Sequence, residues 1–427
     1  MEHLVSGRVL MGDSLGFHIL FVLFGVGLPL VILILEAMAR RRQDAKLLAQ
    51  AKMWSYVATV LVIGGVLSGT VVALQMFLVW PGILQFGGKA IGLAFSWEGY
   101  AFIIEAIFLG FYLKTWDKIT GWAHWALMLP VLFGATLSGF LITAVNAWMN
   151  HPAGIVVENG VVTEAHPMQA IFTQTTYLEA SHSILSYYLA AILVVVAVST
   201  WRLLRSQNPG KESTHRLIVG RLGIIALGLL LSIGVLGDWS AKYLHTNEPT
   251  KLAAIEGLQQ TTSNAPFVVM GYEIPGLLSW MLTGDTSTVV QGLDATPEAL
   301  RPPTTLHTLF IIKLALVALL AVSLIKLTWA YLARPKFPRW VLWLILTAPV
   351  AAATMIELGW MLTELGRQPY AVYGHVLTSE AFTTSKGVLA LAWLFPAAYV
   401  VLGIVTILAV RQVLKRFNAQ SEKGGAK

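Results

Sequence analysis

The sequence predicts an all-α integral membrane protein with about nine transmembrane helices, its N-terminus outside and its C-terminus cytoplasmic. Three observations predict it. Of 427 residues, 56% are hydrophobic and only 12% are charged, and the mean hydropathy is +0.70, whereas a soluble domain carries about 25% charged residues. Apolar runs of around 20 residues, enough to cross the hydrocarbon core, recur along the whole chain. Lysine and arginine crowd into alternate loops, as the positive-inside rule requires.

The spans fall at roughly 14–36, 54–79, 95–114, 122–146, 177–200, 218–237, 306–331, 339–360 and 386–410. Little positive charge precedes the first, and "ARRRQ" follows it, so it reads as a retained span rather than a cleaved signal. One set of loops holds twenty of the cations: Arg40, Arg41, Arg42, Lys46 and Lys52; Lys114 and Lys118; Arg202, Arg205, Lys211, Arg216 and Arg221; Arg334, Lys336 and Arg339; and Arg411, Lys415, Arg416, Lys423 and Lys427. The other set holds seven: Arg8, Lys89, Lys242, Lys251, Arg301, Arg367 and Lys386. The first set is therefore cytoplasmic. The net charge of +7 is explained by this asymmetry and points to a membrane, not to nucleic acid. The chain divides into residues 1–237 (helices 1–6), an extracytoplasmic loop at 238–305, and residues 306–427 (helices 7–9 and a cytoplasmic tail). A loop of that length is functional or disordered as a rule. No internal repeat is visible, which leaves an inverted-repeat transporter without support.

There is no cysteine. That removes disulfides, thiolate metal sites, covalent c-type haem attachment and cysteine-ligated iron–sulfur clusters. A redox cofactor here must be held by histidine, methionine, lysine or carboxylate.

Ionisable groups inside spans cost about 2.5–3.5 kcal/mol each on insertion scales and are functional by default. Here they gather in the outer half. His18, Glu98 and His182 lie near the outer ends of spans 1, 3 and 5, Lys313 is about two turns into span 7, and Glu364 is just past the outer end of span 8. Glu98 and Glu105 are seven residues apart, so they share a helix face about 10 Å apart along the axis. Such a pair can step protons outward from the cytoplasm; the bland alternative is a pair of interhelical hydrogen-bonding groups. Glu357 and Glu364 repeat the spacing. His18 and His182, each on an apolar helix, are either satisfied core residues or ligands. Ala180, Ser181 and Ser183 leave room beside His182 for a flat macrocycle. In "ELGRQPY", Gly366 permits a tight turn and Pro369 stops the helix. Arg367 there can pair with Glu364 at i,i+3, neutralise a haem propionate, or simply cap the helix.

The stretches "GRVLMGDSLGFHILF", "FSWEGYAFIIEAIFLGFYLKTWD", "LSGFLITAVNAWMNHPAG", "GD" followed by "PTKLAAIEG", and "ELGWMLTELGRQPY" occur in one order over nearly the whole chain. Together they resemble subunit I of the cytochrome bd-type quinol oxidases, in the short Q-loop branch. The resemblance implies a terminal oxidase of the prokaryotic cytoplasmic (inner) membrane, working with a second membrane subunit. It would oxidise quinol at the outer face and reduce dioxygen to water with cytoplasmic protons, generating proton motive force without pumping. It implies three haems: a low-spin b, a high-spin b, and a d or further b. His18 matches an axial ligand of the high-spin pair, Glu364 a ligand or near-ligand of that pair, and Arg367 its neighbour. His182 matches an axial ligand of the low-spin haem. Lys251 and Glu256 match quinol-binding residues of the Q-loop, and Glu98, Glu105, Ser138 and Asn146 match proton-path and oxygen-site positions.

Two departures stand out. Where the family's span 7 has Phe-Arg-Ile-Met ending on the second low-spin ligand, this chain has Phe310, Ile311, Ile312 and Lys313. A neutral lysine amine can ligate iron, and desolvation favours the neutral form; His182/Lys313 ligation is one reading, and a propionate-pairing Lys313 the other. Glu248 also stands before Pro249 where a glutamine is usual. The competing readings are a proton-coupled transporter, with helices broken at the midplane, and a non-catalytic structural paralogue of the oxidase subunit.

Overall fold

The computed structural model describes residues 2–205, 213–269 and 271–424. Lys211 and Lys427, which contribute to the charge asymmetry, lie outside the described residues. Among those residues, nine helices are long and apolar enough to cross a membrane: Gly7–Arg42, Ala45–Val79, Pro81–Lys114, Trp122–Asn150, Gln174–Arg205, Thr214–Asn247, Thr305–Ala333, Arg339–Gly366 and Lys386–Phe417. They are the nine spans read from hydropathy, and they are called the first to ninth spans below.

The helices are longer than their apolar segments. The sixth continues past 237 to Asn247, where Lys242 Nζ meets Asp238 Oδ2 at 2.6 Å one turn away on an exposed face. Such i,i+4 pairs favour continued helix outside lipid. The outer loop thus begins after Asn247. Likewise the eighth span runs to Gly366 and contains Glu364 in its last turn, instead of ending before it. Falling hydropathy marks where lipid ends, not where the helix does.

Local signals explain the ends. Asp44 caps the second span, its carboxylate accepting from the Lys46 and Leu47 amides at 2.9 and 3.1 Å. Pro81 opens the third from its first turn. The first, fourth and fifth spans are the centre of the bundle: 61%, 56% and 61% of their most apolar windows are buried, against 17–22% for the second, third and seventh and 18% for the ninth. Their large apolar faces meet in one core that includes Leu28, Ile32, Leu189 and Ile192, all buried. Among the described residues, three antiparallel two-stranded hairpins lie in the connections on one side: Ile155–Glu158 with Val161–Ala165, Phe267–Val269 with Tyr272–Ile274, and Tyr370–Val372 with Val376–Leu377.

The first and fifth spans approach closely at Gly27. A Cβ there would meet the Ala191 methyl and come within 2.5 Å of the Tyr187 carbonyl oxygen. A backbone carbonyl in a packed helix cannot give way. Gly27→Val is therefore expected to destabilise the bundle by about 1–3 kcal/mol, the usual cost of overpacking. A melting temperature followed by tryptophan fluorescence in detergent checks this; an unchanged value refutes it.

Candidate functional site

The outer loop contributes a short helix, Pro249–Glu256, opened by Pro249 and closed by Gly257 at φ +74°. His307 pins its end, with Nδ1 3.0 Å from the Ile255 carbonyl oxygen. Lys251 of this helix is buried, its Nζ donating to Glu248 Oε2 at 3.2 Å and to Asn150 Oδ1 at 3.1 Å. Its aliphatic stem lies on Gly366, where a Cβ would come within 3.0 Å of Cγ and Cε. Gly366 is not among the residues with positive φ. Its bareness serves the lysine stem, not a tight turn.

A cavity of about 460 Å³ lies between this helix and the fifth to eighth spans, within the size range of small-molecule and cofactor sites. His182, Lys313, Lys251 and Glu256 all line it, with Glu179 and Glu248. Glycines replace side chains at its wall. A Cβ on Gly359 would sit 3.2 Å from Lys313 Nζ, and one on Gly237 would sit 3.9 Å from His182 Cε1. Burial pushes the Glu256 carboxyl up to about 7, and its Oε2 has no hydrogen-bond partner among the described residues.

Beside the cavity, the last turn of the eighth span presents Glu364. Asn146 Nδ2 donates to its Oε1, and Arg367 Nη2 to its Oε2 at 2.6 Å. Arg367 is 4% exposed; its Nε and Nη1 are buried without partners among the described residues. Pairing with Glu364 thus uses only part of its donor fork. Arg8 reaches the same turn, donating to Gln368 Oε1 at 2.7 Å.

The sequence profile described as cytochrome bd terminal oxidase subunit I matches residues 7–417. This chain belongs to that family. It is 34% identical to a Bacillus subtilis (strain 168) protein provisionally named a cytochrome bd menaquinol oxidase subunit I, over 95% of each chain. It is 25% identical to the cytochrome bd ubiquinol oxidase subunit 1 of the same organism, over 97% of this chain and 94% of the other. Its fold superposes on the bd oxidase structure from Geobacillus thermodenitrificans with a TM-score of 0.90 at 31% identity, covering 97% of this chain and 98% of that one. The chain is thus subunit I of a cytochrome bd-type oxidase, a family of haem-containing membrane oxidoreductases.

Within this bd-family chain, the remaining candidates occupy separate places. His18 faces the second span, its Nδ1 2.9 Å from the Ser68 hydroxyl and its Cε1 3.0 Å from where a Gly69 Cβ would stand. It does not line the His182 cavity. Glu98 lies beside Ser138, close enough for their side chains to interact. Glu105, one heptad deeper, is 3% exposed, and its Oε1 has no partner among the described residues. Gly134 of the fourth span lets that helix close over it; a Cβ there would stand 3.0 Å from the Glu105 amide nitrogen.

Sequence reasoning missed the continuation of this face. Seven residues below Glu105 is Tyr112, fully buried, whose hydroxyl donates to Glu36 Oε2 at 2.5 Å. His124 Nδ1 lies 2.9 Å from Glu36 Oε1, and Arg40 also donates to that oxygen. The available signals were the heptad step from Glu105 and a carboxylate at the end of an apolar run, one turn before Arg40. Also missed were Asn150 and Glu179. Glu179 lies within electrostatic reach of Lys251, Glu248, Arg367 and Glu364.

Proposed function

We propose that this chain oxidises quinol at the outer membrane face and reduces dioxygen to water with protons drawn from the cytoplasm. It builds proton motive force by that separation alone, without pumping. It would act in the prokaryotic cytoplasmic membrane, N-terminus outside, with a second membrane subunit. One observation carries the reading: one cavity is lined both by a candidate iron-ligand pair, His182 and Lys313, and by the Q-loop residues Lys251 and Glu256.

These residues fit an iron porphyrin. An imidazole and an amine are nitrogen donors suited to iron, glycines leave the cavity wall open, and Arg367 holds two guanidinium nitrogens, Nε and Nη1, without partners among the described residues for an anionic edge. His182 and Lys313 would hold the low-spin haem, while His18 and Glu364 would belong to the high-spin pair among three haems. When bound, the haems supply one-electron transfer and a place for dioxygen. The protein's own share is positioning and proton handling. Lys251, fixed by Glu248 and Asn150, orients a quinol hydroxyl. Glu256 takes its proton, and the proton leaves on the outer side. Glu98 and Glu105 deliver protons from the opposite side, with Ser138 holding Glu98. Asn146, whose amide does not titrate and which is therefore read as an oxygen-site position and not as a proton conductor, fixes the Glu364 carboxylate together with Arg367.

The transporter alternative expects helices broken at mid-membrane. Here the first and eighth spans continue through Pro29 and Pro349.

Oxygen uptake by the purified two-subunit complex with ubiquinol and menaquinol analogues, alongside a pyridine haemochrome spectrum, tests the reading. Quinol-dependent uptake and a Soret band are expected. Absence of haem from material made under haem-replete conditions sinks it.

Glu256 gives a pH prediction. A carboxyl raised to about 7 in the folded protein binds its proton more tightly there than when unfolded. Its contribution to loop stability is full below its ordinary value of 4.5 and fades as pH rises through about 7. Proton acceptance has the opposite sense: the carboxylate becomes available only above about 7. Quinol oxidation is therefore expected to rise through neutral pH in the native protein and to lose that step in Glu256→Gln. An identical pH profile in the variant refutes the assignment.

A further inference from the structure

We propose that Asn146 and Asn150 form a proton break between the quinol side and the oxygen side of this subunit. The proposal rests on the functional reading above. It concerns a chain of hydrogen bonds that joins two sites which must not exchange protons.

The chain is continuous. Lys251 Nζ, already paired with Glu248, donates to Asn150 Oδ1 at 3.1 Å. Asn150 Nδ2 donates to Asn146 Oδ1 at 3.0 Å and to the Asn146 carbonyl oxygen at 3.0 Å. Asn146 Nδ2 donates to Glu364 Oε1, whose other oxygen takes Arg367. Asn150 is fully buried, and Asn146 and Lys251 are nearly so. The amide orientations are forced from both ends. A lysine ammonium has only donors, so Asn150 turns its oxygen to it. A carboxylate has only acceptors, so Asn146 turns its nitrogen to Glu364. The remaining nitrogen and oxygen then face each other.

Such a chain transmits position but not protons. Each amide accepts at oxygen and donates from nitrogen, and neither atom titrates in the physiological range. To pass a proton, an amide would take one at Oδ1, lose one from Nδ2, and rotate to reset. In this chain rotation would set nitrogen against Lys251 and oxygen against Glu364, leaving buried groups mismatched, which is costly. Glu179, a nearby titratable group within electrostatic reach of both Lys251 and Glu364, lines the cavity with Lys251 and makes no hydrogen bond to either amide.

The chemistry requires such a break. Two quinols release four electrons and four protons. One dioxygen takes four electrons and four protons to give two waters. If the protons freed at the loop passed along this chain, the redox reaction would balance without drawing on the cytoplasm. Oxygen uptake would continue while charge separation vanished. A purely structural role for the two amides predicts no effect of titratable replacements on that separation.

The test uses the whole two-subunit complex in proteoliposomes, with charge translocated per electron as the readout, since a ratio is independent of turnover rate. The double variant Asn146→Asp/Asn150→Asp is expected to fall from one charge per electron towards zero. Without quinol, it is also expected to dissipate an imposed pH gradient faster than the native complex. Asn146→Ser/Asn150→Ser, whose hydroxyls can relay protons, carries the same expectation and serves if the acidic pair prevents assembly; Asn150→Gln keeps an amide and stays tight. A native ratio together with native gradient decay in an assembled double variant overturns the proposal, and either change supports it. If the native complex itself oxidises no quinol, or does so without charge separation, the functional reading fails instead.

Discussion

Glu105→Gln is expected to lower quinol-driven oxygen uptake by about a hundredfold or more, the scale on which loss of a positioned acid–base group acts, while haem content stays native. The reason is placement. Glu105 is buried between the third and fourth spans with a carboxyl oxygen that has no partner among the described residues, one heptad below Glu98 and one above Tyr112. No other side chain on that face of the helix between Glu98 and Tyr112 can titrate. Glutamine keeps the shape and removes the transferable proton. Rapid reduction by quinol should survive, because electron entry does not use this face. Only the step that consumes protons should slow, so reduced haem is expected to accumulate under steady turnover. Stopped-flow spectra of the variant in oxygenated buffer check this. Native uptake in Glu105→Gln would place proton delivery elsewhere, and the Tyr112–Glu36–His124 cluster would then lose its connection to the site.

His182→Ala is expected to remove one haem equivalent, read as a fall in the pyridine haemochrome of the assembled complex. Lys313→Met is expected to keep that haem but change its axial signature from nitrogen–nitrogen to nitrogen–thioether. His182 and Lys313 line the same cavity, and the glycine opposite the lysine leaves its amine room. Methionine is unbranched and of similar reach, so packing is largely kept. Thioether in place of an amine should also raise the haem potential. Low-temperature EPR and near-infrared MCD of native and variant proteins distinguish the two ligand sets. A native protein that already shows histidine–methionine ligation, or a spectrum unmoved by Lys313→Met, sinks the lysine assignment and leaves Lys313 as a propionate partner.

The sequence by itself determined the nine spans and the location of nearly every candidate residue. Both are local properties. Hydropathy over around 20 residues reports transfer into lipid, and a heptad step reports a shared helix face whatever the neighbours do. The tertiary structure decided which of these residues meet. Asn146 and Glu364 are 218 positions apart, and Lys251 and Asn150 are 101 apart. No periodicity spans such distances; the pairings exist because spans four and eight both pack against the fifth, and the loop helix packs against the eighth. Asn150 was silent in sequence for the same reason. An asparagine near a helix end is ordinary until its amide is seen between a buried lysine and a second buried amide. Gly366 and Gly359 took their meaning from partners as well, since a glycine's missing side chain matters only where another group occupies the space. Local free energies of transfer set where the chain crosses the bilayer, and packing between distant helices set which polar groups share one low-dielectric site.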